Sequence, residues 1–148
     1  MLSIAHGVVG AMVATKIPDP LVSVPMILGL HYLGDWIPHW DIGTGLSDGK
    51  RRRMTAFFFE LADLVAMAGL LIWFWQWGSP QVIWPIYWGA LAGILPDLLM
   101  APRTFLKWEP RWLRPINDFH YALHLSTPHK IVGLAPQLLL VTLVYLLK

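Results

Sequence analysis

Long apolar runs separated by short polar breaks dominate the chain. The runs cover residues 2–17, 21–37, 55–77, 82–100 and 131–147. A helix needs about 20 residues, and at least ~17, to cross the hydrocarbon core of a membrane. We therefore predict membrane helices at 55–77 and 82–100, and short or tilted ones in the other three runs. The shorter segment 117–125 predicts a helix lying at the interface.

The breaks between the runs define how the helices connect. Pro18 and Pro20 separate the first two runs, because proline cannot continue a helix interior. The turn at 78–80, Gly-Ser-Pro, makes an antiparallel hairpin of the third and fourth runs. On the fourth run, Gly89 and Gly93 form a small-xxx-small face that permits close helix contact.

The amino-acid composition indicates that lipid, rather than water, surrounds much of the chain. Of the 148 residues, 56% are apolar and 14% charged, against roughly 45–50% and about 25% in a soluble domain. No linker interrupts the chain, so we expect one domain over residues 1–148. The fold prediction is therefore an all-α integral membrane bundle with four or five membrane helices and a short interfacial helix.

Charge and cysteine content exclude several functions. The chain has no cysteine, which excludes disulfides, thiolate ligands and iron–sulfur clusters. Its net charge is only +2 and its basic residues lie between the apolar runs. Membrane topology explains these basic residues better than nucleic acid does, so we expect membrane lipids as partners and no nucleic acid.

Basic loops and tryptophans give the expected orientation. The segments 50–53 and 103–114 carry most of the positive charge and should face the cytoplasm. We accordingly expect an integral protein of a bacterial inner (plasma) membrane. Two aromatic belts are expected at the two interfaces, the cytoplasmic one with Trp36, Trp40, Trp108 and Trp112 and the far one with Trp73, Trp75, Trp77, Trp84 and Trp88.

This topology brings the ionisable residues of the apolar runs to one membrane level, near the cytoplasmic face. A charged side chain inside a membrane helix costs at least ~2.5–3.5 kcal/mol, so such residues are usually paired, face a cavity or bind an ion. One shared site would account for the whole set: His6, His31, Asp35, Glu60, Asp63, Asp97, His120 and His124.

Spacing within this set favours a metal site. Residues three or four apart lie on one helix face, and His31 with Asp35 and His120 with His124 are four apart. Imidazole and carboxylate ligands without sulfur suit zinc, with manganese or iron(II) as alternatives. The predicted cofactor is one or two divalent ions, held by His6, His31, Asp35, Asp97, His120 and His124.

Several of these residues have simpler interpretations. His31 and Asp35 could form an intrahelical hydrogen bond, and His6 could bond to a neighbouring helix. Glu60 and Asp63 could pair with the arginines at 51–53. Turn chemistry and interfacial anchoring adequately explain His39 and Asp41, which remain secondary candidates.

Three segments resemble a known family. They are His6-Gly7, Leu95-Pro96-Asp97 and residues 119–126, which runs from Phe119-His120 to His124-Leu125-Ser126. In these segments the chain resembles small membrane-bound proteins described as predicted metal-dependent hydrolases. The His-x-x-x-Asp of residues 31–35 is also similar to the zinc-ligand spacing of zinc-dependent phospholipase C and its nuclease relatives.

The resemblance implies hydrolysis of a phosphoester by metal-activated water, with the six ligands named above carried over. The predicted function is a membrane-embedded metal-dependent hydrolase acting on a lipid or lipid-linked phosphoester. Glu60 or Asp63 would be the general base or would orient the site. Arginines near the same face, Arg52, Arg53 and Arg103, could hold a phosphate, although contact with anionic lipid heads explains them more simply.

Two other functions stay open. His120-x-x-x-His124 looks like one histidine box of the membrane desaturases and hydroxylases, which indicates a non-heme diiron redox enzyme. Buried acids and histidines could instead form a proton or cation path in a non-enzymatic ion-binding or transport protein.

Overall fold

The computed structural model describes residues 1–46 and 49–148, and over these residues the secondary structure is helical. Asp48, which the sequence assigns to a loop, lies outside the described residues. The prediction of an all-α fold is confirmed by six α-helices in this part of the chain: α1 Ser3–Lys16, α2 Pro20–Asp35, α3 Arg53–Leu71, α4 Trp84–Ala101, α5 Arg114–Leu123 and α6 Lys130–Leu147.

The helix ends follow the local sequence signals. Asp19 accepts a hydrogen bond from the Leu21 amide and Pro20 occupies the first turn, so α2 begins where its sequence favours a start. The residues of Ile72–Gln76 continue α3 in π-helical form. The predicted turn follows them, with Gly78 at a φ of 79°, in the left-handed region that glycine adopts readily.

Glycines bring α1 and α4 into backbone contact. A Cβ on Gly89 would lie 2.5 Å from the carbonyl oxygen of Gly10, and one on Gly93 would lie 2.3 Å from that of His6. The predicted small-residue face is thus confirmed, and its partner is α1. This close crossing sets the distance between His6 on α1 and the end of α4.

The apolar core begins within one helical turn of His6 and Asp97 and continues toward the other end of these helices. Val8 of α1, Met67 of α3, and Ile86 and Ile94 of α4 pack there with Val144 of α6. Because apolar side chains fill that end, the polar side chains of the bundle collect at the opposite end.

Two helices are long and apolar enough to cross a membrane. They are Arg53–Gln76, with 24 residues, and Lys130–Leu147, with 18. The prediction of four or five membrane helices is not confirmed, because α1 and α2 have only 14 and 16 residues. The 18 residues of α4 include Trp84, Trp88 and Asp97, which lower its hydropathy.

Hydrogen bonds join the loop after α2 to the chain after α5 and to α6. His39 and Ser126 form an isolated parallel bridge, in which the His39 amide donates to the Leu125 carbonyl at 3.0 Å. On α6, Gln137 donates to the Trp40 carbonyl at 2.7 Å. These bonds fix the position of a loop that lies beside the polar end of the bundle.

Candidate metal centre

Four helices deliver side chains to the polar end of the bundle. His6 lies in the first turns of α1, which leaves this end, while Asp35 and Asp97 lie late in α2 and α4, which return to it. His120 is near the end of α5. The prediction from the sequence that these four residues meet at one end of the bundle is therefore confirmed.

Asp35 is the centre of the group and has no exposed surface. Its Oδ2 lies 3.2 Å from His31 Nε2 and 3.1 Å from His120 Nε2. Its Oδ1 lies 3.0 Å from His6 Nε2 and also contacts the amino group of Met1. A buried carboxylate is stable only when it is paired, so this site requires positive charge around Asp35.

Asp97 closes a group of four ligand atoms. Its Oδ1 lies 3.5 Å from His120 Nε2 and 3.9 Å from His31 Nε2. One atom each from His31, Asp35, Asp97 and His120 can be chosen so that all four lie within 4.8 Å of one another. A tetrahedral ion about 2.0–2.1 Å from each ligand separates those ligands by about 3.3 Å, close to the distances found here.

The hydrogen bonding of His31 shows why a cation fits. His31 Nδ1 lies 2.7 Å from the Gly93 carbonyl oxygen, which can only accept, so Nδ1 carries the proton. In the neutral ring, Nε2 then presents a lone pair to the oxygens of two carboxylates. His31 Nε2 and Asp97 Oδ2 are buried without a hydrogen-bond partner. A divalent ion between these atoms would replace the repulsion with coordination.

His6 stands beside this group. Its ring stacks on that of His31 at a centroid distance of 3.9 Å, and its Nε2 lies 4.0 Å from Asp97 Oδ2. The contact with Asp35 makes His6 a partner of the central carboxylate. Its predicted role as a direct ligand stays a prediction.

A second group of ligand atoms involves two residues that the sequence interpretation ranked as secondary. His39 Nε2 lies 3.1 Å from His124 Nε2 and 3.6 Å from Asp35 Oδ1. Asp41 Oδ2 lies 3.5 Å from His39 Nε2 and 3.3 Å from His124 Nε2. The sequence signal for His39 was its spacing, because His39 follows Asp35 by four residues. Pro38 hides this signal, because a proline ends a helix and the spacing is then not expected to place the two side chains on one helix face.

Burial keeps His124 in the form that binds metal. Loss of solvent lowers the pKa of His124 to about 4, although the nearby carboxylates of Asp35 and Asp41 act to raise it. At neutral pH the imidazole is therefore uncharged, as coordination requires.

Glu60 and Asp63 lie outside both groups and contact the start of α1. Asp63 Oδ2 accepts a hydrogen bond of 2.6 Å from the Ser3 amide, and Glu60 Oε1 accepts one of 2.6 Å from the Ser3 hydroxyl. These bonds satisfy groups that a helix N-terminus leaves unpaired. They give both acids a structural role, and their predicted catalytic role stays a prediction.

Two cavities reach the site from different sides. A polar cavity of about 550 Å³ is lined by Arg53, Glu60, Asp97, Arg103 and His120, among others. A second cavity of about 320 Å³ is almost wholly apolar and reaches His6 and His31. Its other walls include Met1, Val9 and Pro136 and the leucines and isoleucines of α2, of the segment just after it and of α6. His31 of the first group lines this apolar groove, whereas Asp97 and His120 line the polar cavity.

Comparisons with known proteins give no match: no family model, no curated protein and no solved structure is significantly similar to this chain. The geometry of the site is therefore the basis on which a function is proposed.

Proposed function

We propose that the chain is a membrane-bound metal-dependent hydrolase that cleaves a phosphoester carried by a lipid or a lipid-linked molecule. One observation carries the proposal: ligand atoms of His31, Asp35, Asp97 and His120 lie within 4.8 Å of one another although they come from three helices. Three of these residues are buried and Asp97 is half-buried, and together they form a site that a divalent ion, zinc first among the candidates, would complete.

The polar cavity supports a phosphoester as the substrate. A divalent ion in this centre would activate water and polarise a phosphoryl group. Arg53 and Arg103 line the same cavity as Asp97 and His120, and their guanidinium groups suit phosphate oxygens. Arg103 Nη1 also lies 2.7 Å from Asp118 and 3.2 Å from Glu109, which hold its side chain in place. Glu60 in this cavity is the candidate proton acceptor.

The apolar groove supports a lipid as the carrier of that group. It is lined by side chains that are exposed at its edge: Leu33 of α2, Ile37 just after α2, and Leu139 and Leu143 of α6. Because α6 is one of the two candidate membrane helices, an acyl chain in the surrounding lipid would meet this groove directly.

The test measures metal and turnover in the same purified protein. Wild type in detergent should retain a divalent ion through gel filtration and hydrolyse phospholipid or a chromogenic phosphoester. His31→Ala and His120→Ala should lose ion and activity together, because each removes a ligand from the buried group.

His129→Ala is the matched control, since His129 is exposed in the loop before α6 and should leave both readouts unchanged. Equally low metal content in wild type and both ligand variants would refute the proposal. Bound iron with an oxygen-dependent product would instead favour the redox enzyme.

A further inference from the structure

We propose that the chain binds a second divalent ion between His39, Asp41 and His124, and that Asp35 bridges this ion to the first one. The inference deepens the proposed function and depends on its first ion site. It begins from the second group of ligand atoms, in which four pairs of atoms are separated by 3.1, 3.3, 3.5 and 3.6 Å. These again approach the roughly 3.3 Å expected between the ligands of a tetrahedral ion.

The orientation of Asp41 points into this group. Its Oδ1 accepts hydrogen bonds from the amide and the hydroxyl of Thr44, at 2.6 and 3.1 Å. Its Oδ2 is buried, has no hydrogen-bond partner and lies against the two imidazoles. Asp41 is only 6% exposed, so water does not solvate it as it would a surface carboxylate. A cation at this position would satisfy the free oxygen.

The two imidazoles are arranged as a pair of ligands. His39 Nδ1 lies 2.8 Å from the Ile37 carbonyl oxygen and therefore carries the proton, which leaves a lone pair on Nε2 of the neutral ring. That Nε2 is directed at His124 Nε2 and at carboxylate oxygens. A backbone hydrogen bond at the remote nitrogen is the usual way to orient a metal-binding histidine.

Asp35 divides its oxygens between the two groups. Oδ2 contacts His31 and His120 of the first group, whereas Oδ1 faces His39 of the second. One carboxylate with one oxygen toward each ligand set is the arrangement of a bridging ligand. His6 and the amino group of Met1 also contact Oδ1 and lie beside the bridge.

Residues of both groups line the polar cavity. Asp41 and His124 line the polar cavity together with Asp97 and His120. Two divalent ions would therefore face a single substrate phosphate from one cavity, as paired ions do in phosphoryl-transfer sites. A second ion thus favours a phosphoryl group over a neutral ester as the reacting part of the substrate.

The experiment counts zinc ions per chain. Each protein is equilibrated in a zinc buffer and then freed of unbound ion. Wild type should hold two zinc ions per chain, whereas the Asp41→Asn and His39→Ala variants should each hold one. Asp41→Asn keeps the oxygen that accepts from Thr44 and removes the negative charge. Its thermal unfolding without metal should match wild type, which separates ligand loss from misfolding.

A spectroscopic readout tests the bridge. When loaded with manganese, wild type should give the electron paramagnetic resonance spectrum of two spin-coupled ions. The Asp41→Asn variant should give the spectrum of an isolated ion. His129→Ala should keep two ions and the coupled signal.

The outcomes separate the two proposals. One zinc ion in wild type, lost in His31→Ala but kept in His39→Ala and Asp41→Asn, would overturn the second ion and leave the proposed function intact. No bound ion in wild type would overturn both.

Discussion

At the scale of single residues, the site is organised around the carboxylate of Asp35. A fully buried carboxylate is costly unless partners surround it, and its two oxygens meet imidazoles from three segments of the chain. Positive charge beside Asp35 comes from the Met1 amino group, from protonated imidazoles or from a cation that the imidazoles bind. His31 and His39 both fix their Nδ1 protons on backbone carbonyls, which directs the coordinating nitrogens inward.

The roles of Glu60 and Asp63 can be separated by substitutions that preserve hydrogen-bond acceptors. We expect Glu60→Gln to retain the metal and to lose about 100-fold or more in turnover, because an amide cannot accept the proton that a general base removes. Asp63→Asn should lose far less, since Asp63 binds the Ser3 amide and is not among the residues lining the polar cavity.

Single-turnover rates and metal content measured on both variants check this expectation. Glu60→Gln with turnover like that of wild type would restrict Glu60 to holding the Ser3 hydroxyl.

At the scale of helices, the site depends on the close crossing of α1 and α4. Gly10, Gly89 and Gly93 let the two backbones touch, and the carbonyl of Gly93 also accepts the His31 hydrogen bond. The same glycine therefore spaces two helices and orients a ligand on a third. Short helices are sufficient to build this metal centre, because its ligands lie at the polar ends of the helices.

This crossing predicts a difference between two glycine-to-alanine substitutions. Gly93→Ala should destabilise the protein by about 1–3 kcal/mol, because its Cβ would meet the rigid His6 carbonyl. Metal content should fall too, since α1 would move away from Asp97. Thermal unfolding in detergent and metal analysis give the two readouts.

Gly29→Ala is the matched control within α2. A Cβ there meets nothing within 4 Å, so the change should be neutral or stabilise the helix by up to about 0.5–1 kcal/mol. Equal unfolding temperatures for the two variants would contradict the importance of the crossing.

At the scale of the whole molecule, the two candidate membrane helices are mostly unburied. Only 22% of the apolar window in Arg53–Gln76 and 17% of that in Lys130–Leu147 is buried within the protein. The core helix of a soluble protein would be largely enclosed. Long apolar helices with open faces are instead suited to contact with lipid.

Orientation can be tested by cysteine labelling, because the chain has no cysteine of its own. Gln81→Cys follows the turn after the first candidate membrane helix, and Arg111→Cys lies in the basic segment 103–114; both side chains are exposed. In intact spheroplasts, a membrane-impermeant maleimide should label Gln81→Cys only. Arg111→Cys should react after lysis.

The protein itself should stay in the membrane fraction after carbonate washing. Labelling of both positions from one side would refute the expected orientation. Release by carbonate would refute integration into the membrane.

The sequence by itself determined the helices and most of the first ligand group. Apolar runs and proline or glycine breaks place the helices because these signals are local. The spacing of His31 and Asp35 follows from helical periodicity, and alternating helix directions bring Asp97 and His120 to the same end. The number of membrane helices was not determined in this way, since α1 and α2 have only 14 and 16 residues and α4 contains polar residues that lower its hydropathy.

Only the tertiary structure decided the second ligand group and the contacts of Glu60 and Asp63. His39 and His124 lie 85 residues apart and meet through a backbone bridge between two loops, which no periodic pattern encodes. Asp41 turns one oxygen inward because Thr44 occupies the other. Helical spacing is a property of neighbouring residues, whereas loop positions depend on hydrogen bonds between distant segments that exist only in the folded chain.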